Sequence, residues 1–65
     1  MKIIVNGEAQ ETRAPTLAAL LGELGKSEAK VATSVNEVFV PKHQRADHVL
    51  HEGDRVEVVA PRQGG

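Results

Sequence analysis

A chain of 65 residues, 40% of them apolar, holds one domain near the lower size at which a core alone sustains a fold, so nearly every apolar side chain is needed inside. The absence of cysteine excludes disulfides, thiolate metal sites, iron–sulfur ligation and a thiol nucleophile. Eight basic against nine acidic side chains, with one Phe and no Tyr or Trp, provide neither a basic groove nor a base-stacking platform, so nucleic acid is not an expected partner. No apolar run reaches membrane-spanning length and no leader pattern opens the chain, so a cytoplasmic protein with no membrane partner is expected.

The chain begins with a β-rich run followed by Asn6-Gly7, a dipeptide suited to the positive φ angles of a tight hairpin turn. A two-residue loop here sets Lys2 opposite Glu11 and Val5 opposite Glu8. Leu17, Leu20, Leu21 and Leu24 then recur at helical spacing, which predicts one apolar stripe, with Thr16 as N-cap, Gly25 at the C-terminal cap and Pro15 just outside. Gly22, inside that helix, is expected to mark a close approach to a sheet. Further on, Val31, Thr33 and Val35 share a period-2 face, a turn falls at Asn36-Glu37, and Val38-Phe39-Val40 forms a strand that Pro41 ends, with Phe39 expected in the core. A polar, partly helical or irregular connection follows, and a turn at Glu52-Gly53-Asp54 leads into a strand from Arg55 to about Ala60. Asp47, Glu52 and Asp54 read as solvated turn residues. In that last strand Val56, Val58 and Ala60 alternate with Arg55, Glu57 and Val59. The order predicts an α+β fold over residues 1–65, a mixed β-sheet with one packed α-helix and the last strand parallel to the first, which is a β-grasp (ubiquitin-like) layout.

Few side chains suggest chemistry. His43, His48 and His51 lie close in sequence, but without cysteine they make a poor zinc set, and no metal site is expected. Ser27 and Ser34 have no recognisable nucleophile context, and "GELGK" lacks the spacing of a phosphate loop. No catalytic pair can be named. The Gly64-Gly65 end, in a tail of about residues 61–65, is the exception. A terminal carboxylate is anionic at neutral pH and can attack the α-phosphate of ATP on a partner enzyme, becoming an acyl-adenylate that a sulfur nucleophile displaces. Two glycines suit a narrow channel because they carry no Cβ. Val59, pointing away from Val56 and Val58, is expected to form a partner-docking patch beside the tail with Arg55 and Arg62.

"IIVNGE", "TLAALLGELG", "SVNEVFVPK", "VLHEGDRVEVVAP" and the final "GG", in this order and over essentially the whole chain, resemble the ThiS family of sulfur carriers in thiamine thiazole synthesis. The resemblance implies a ubiquitin-like β-grasp fold and a protein co-substrate in place of an enzyme. It implies adenylation of Gly65 by a ThiF-type adenylyltransferase using ATP and magnesium, with Gly64 as the neighbour that must fit the channel, and no cofactor bound by the chain itself. Sulfur from a cysteine desulfurase route would then give a thiocarboxylate that a ThiG-type thiazole synthase consumes. Two alternatives stay open: a carrier like the small subunit of molybdopterin synthase, and a β-grasp interaction module like the TGS domain, with no carrier role. The chain departs from many relatives at Arg45, where they carry Trp.

Overall fold

Two hairpins, each opened by an asparagine in the left-handed region, frame the sheet. Asn6 and Gly7 adopt φ of 50° and 85° between β1 (Lys2–Val5) and β2 (Glu8–Glu11), while Asn36 and Glu37 adopt 52° and 72° between β3 (Ala32–Val35) and β4 (Val38–Val40). The register of the first hairpin pairs Lys2 with Glu11 and Val5 with Glu8, as its two-residue loop dictates. The computed structural model describes residues 1–26 and 30–60. Ser27, Arg62, Gly64 and Gly65 lie outside the described residues.

The sheet has five strands in the order β2-β1-β5-β3-β4, with β5 (Arg55–Val59) at its centre. On one side β5 runs parallel to β1, Ile4 opposite Arg55 and Val5 opposite Val56. On the other it runs antiparallel to β3, from Val35 opposite Val56 to Ala32 opposite Val59. Helix α1 (Leu17–Glu23) carries the chain from β2 on one side of the sheet across to β3 on the other, which leaves the central place for β5.

Helix α1 is short and closed at both ends. The Thr16 hydroxyl accepts from the Ala19 N–H at 3.2 Å. At the other end Gly25, with φ of 74°, donates to the Gly22 carbonyl and Lys26 donates to the Leu21 carbonyl, the paired bonds of a Schellman ending. Leu17, Leu20 and Leu21 are buried and Leu24 is partly so, and they pack with Ile3, Val5, Val35, Val40, Val56, Val58 and Leu50 in one core. Burial of the leucine stripe on a single sheet face is the main source of the fold's stability.

Three expectations need correction. Gly22 is solvent-exposed, and a Cβ built on it meets nothing within 4 Å, so it marks no close approach to the sheet. Phe39 is 64% exposed, because its register opposite Ser34 turns it to the face that the helix does not cover. Asp54 is buried at 9% exposure: one carboxylate oxygen accepts from the His51 N–H at 2.8 Å and the other from the Asn36 amide at 3.0 Å. It organises the turn into β5. Glu52 takes part as well, accepting from the Lys2 N–H at 2.9 Å.

The polar connection forms a 3-10 helix, Lys42–Asp47, and carries Arg45 inward until 7% of it remains exposed. The Arg45 Nε donates to the Thr33 hydroxyl at 3.0 Å and Nη2 to the Val31 carbonyl at 2.6 Å, while Thr33 itself donates to the Val40 carbonyl. Arg45 thus ties the connection to β3 through polar bonds. Beyond it, Leu17 donates to the His48 carbonyl and Leu50 to the Pro15 carbonyl, which fixes the segment against the start of α1 and delivers Leu50 to the core.

Candidate functional site

The last described residue, Ala60, directly follows β5, the central strand of the sheet. Alternation divides β5 cleanly. Val56 and Val58 are buried, whereas Arg55, Glu57 and Val59 lie on the outer face. Val59 is 59% exposed and sits opposite Ala32, forming with Lys30, Val31 and Ala32 a shallow, mainly apolar groove.

Arg55 shares that face but not that end. Four residues at about 3.3 Å each separate it from Val59 by roughly 13 Å. Its guanidinium pairs instead with Glu37 at 3.3 Å, and the next charge along, Glu57, accepts from the Ser34 hydroxyl at 3.1 Å. Val59 and Arg55 are therefore two separate features of one surface, and Arg62 lies outside the described residues. Phe39, on the outer face of edge strand β4, adds a further exposed side chain to this surface.

Each end of β5 is held by an asparagine side chain. At the entry, the Asn36 N–H donates to the Arg55 carbonyl at 2.7 Å and its Oδ1 accepts from the Arg55 N–H at 3.0 Å. At the exit, the Asn6 N–H donates to the Val56 carbonyl at 2.9 Å. The Asn6 Oδ1 then accepts from the Val58 N–H at 2.9 Å, and its Nδ2 donates to the Val58 carbonyl at 3.2 Å. By sequence these positions read only as turn formers. The signal for a second role is the same residue at the first loop position of both hairpins, where a short carboxamide in the left-handed region can reach a neighbouring strand.

Nothing else in the described residues assembles as a reactive centre. His43, His48 and His51 do not come together with any acidic partner into a group able to hold a metal ion among the described residues. Ser34 is engaged with Glu57. Among the described residues no helix is long and apolar enough to cross a membrane.

A mixed sheet in the order β2-β1-β5-β3-β4, crossed by one α-helix and with β5 as the last strand among the described residues, defines a ubiquitin-like β-grasp protein. A crystal structure of the thiamine biosynthesis protein ThiS from Geobacter metallireducens has the same fold, with a TM-score of 0.83 and 25% identity over the whole of both chains. The sequence model of the ThiS family matches residues 3–65, and the chain belongs to that family of sulfur carrier proteins. It is 32% identical to the sulfur carrier protein ThiS of Escherichia coli over all of both chains. It is also 44% identical to a thiazole synthase of Paramagnetospirillum magneticum, of whose length it spans only 20%. Family membership makes the protein a sulfur-carrying co-substrate and not an enzyme.

Proposed function

We propose that the protein carries sulfur as a thiocarboxylate on Gly65 for thiazole formation in thiamine biosynthesis, in a cytoplasmic setting. The observation that carries this reading is the match to the ThiS family over residues 3–65, which includes Gly64 and Gly65. The fold supports it by placing β5, the last strand among the described residues, between β1 and β3.

The chemistry proceeds in two displacements. The Gly65 carboxylate oxygen attacks the α-phosphorus of magnesium-bound ATP on a ThiF-type adenylyltransferase, a P–O bond breaks and pyrophosphate leaves. A sulfur nucleophile at the oxidation level of sulfide, released by a thiol reductant from the persulfide of a cysteine desulfurase route with formation of a disulfide, then adds to the acyl carbon and expels AMP, leaving a C-terminal thiocarboxylate. A ThiG-type thiazole synthase takes the sulfur. Val59 and the groove beside it, with Arg62 and the more distant Arg55, form the docking surface for the adenylating partner in this reading. An apolar anchor at such a surface carries binding energy, whereas the rim charges tune association rate.

Mass spectrometry tests it. With ATP, magnesium, the ThiF-type enzyme and sulfide, the protein should gain the mass of one oxygen-to-sulfur exchange, mapped by fragmentation to Gly65. A residue added after Gly65 should abolish the gain and Gly64→Ala should slow it. Sulfur on another residue, or an extended protein charged as readily as the native one, would overturn the reading.

A further inference from the structure

The backbone of β5 outlasts its partner on one side. Residues 54 and 56 direct their carbonyls toward β1, receiving the N–H groups of Ile4 and Asn6 at 2.9 Å each. By the two-residue period of a strand, Val58 directs its N–H and carbonyl to the same side. There β1 has already ended at Val5 and turned away through Asn6 and Gly7. The backbone offers no further rung. The Asn6 side chain provides one in its place, since its carboxamide has the same acceptor and donor as a peptide group and meets both polar groups of Val58.

Val58 precedes Val59 and Ala60, the last described residues before the Gly-Gly end. We propose that Asn6 is a positioning residue for sulfur loading: its carboxamide extends the β1 ladder by one rung and fixes the direction of β5 at Val58. Without that rung, β5 is held beyond Val56 only from the β3 side, and its end can pivot about that single ladder. A reacting carboxylate displaced by about 1 Å from the α-phosphorus loses much of its rate, on the order of a hundredfold at the extreme. The role rests on the carrier reading above.

Asn6→Gly and Asn36→Gly form a matched pair for the test. Both delete a carboxamide clamp on β5, and glycine accepts the positive φ at both turns, so neither variant strains the backbone. Only Asn6 holds the exit end. Thiocarboxylate formation would be followed by mass spectrometry with the ThiF-type enzyme, ATP, magnesium and sulfide, below the unfolding transition of each variant. Asn6→Gly should lower kcat about tenfold with KM for the carrier little changed, because the outer docking face is intact, and should speed hydrogen exchange at the Val58 amide. Asn36→Gly should keep the native kcat despite its own loss of stability. Equal falls in kcat for both variants, or an Asn6→Gly kcat within about twofold of the native value, would overturn the role of Asn6 alone. Failure of the native protein itself to take sulfur would overturn the carrier reading and this role with it.

Discussion

Replacing Arg45 probes a buried cation whose bonds, among the described residues, go to neutral acceptors. Its guanidinium donates to the Thr33 hydroxyl at 3.0 Å and to the Val31 carbonyl at 2.6 Å. In Arg45→Ala the Val31 carbonyl loses that donor, at a cost of about 1–3 kcal/mol. Removing the buried aliphatic stem adds about 0.8 kcal/mol for each buried methylene. Relief of the buried charge's desolvation acts the other way by up to several kcal/mol. The expected net loss is about 2–3 kcal/mol, a large share of the roughly 3–10 kcal/mol open to a domain of this size. Arg45→Met keeps most of the stem contact without the charge, so its loss should be smaller than that of the alanine variant, about 1 kcal/mol. The sharper measurement is a double-mutant cycle by urea denaturation using Arg45→Met and Thr33→Val. A charge-assisted bond between the two should give a coupling of about 1 kcal/mol or more. Additivity within about 0.3 kcal/mol would refute the claim that this bond holds the 3-10 helix to β3.

Leu20→Ala should cost about 2–5 kcal/mol in the same assay, because Leu20 is fully enclosed between helix and sheet, whereas Lys26→Ala on the exposed helix end should stay within about 0.5 kcal/mol. Gly53→Ala isolates a backbone effect: φ is 85° and the added Cβ meets nothing within 4 Å, so a loss of about 1–2 kcal/mol in thermal or chemical denaturation would reflect the left-handed conformation alone. Val59→Asp should weaken binding to the ThiF-type enzyme, measured by calorimetry, while moving the unfolding midpoint little, since Val59 is 59% exposed. A collapse of the unfolding midpoint with that change would make Val59 a folding residue.

Much of this architecture is legible in local chemistry. Asn6-Gly7 specifies a two-residue hairpin and hence its register, and the spacing of four leucines specifies which side of the helix is buried. Thr16 and Gly25 close that helix through bonds that span only a few residues, so they too can be read from neighbouring positions. The alternation in β5 separates Val59 from Val56 and Val58 by position in the strand alone.

Phe39, Asp54, Arg45 and Asn6 required the tertiary structure. The environments of Asp54, Arg45 and Asn6 are set by partners 12 to 52 positions away, and that of Phe39 by which face of the sheet the helix covers. Hydrophobicity alone sends Phe39 inward, but a strand has two faces and one helix covers only one of them; pairing with Ser34 assigned Phe39 to the other. Asp54 looks like a solvated charge until the fold brings Asn36 to it, and Arg45 belongs to a polar connection of unspecified packing until the fold brings it to Thr33 and Val31. Asn6 reads as a turn former in any sequence window, because the strand it completes lies 52 positions further along the chain. Local propensity and periodicity determined which residues form the hairpins, the helix and the strands. Long-range register decided which of their polar groups meet, since a hydrogen bond depends on the few ångströms between two segments and carries no trace in either one alone.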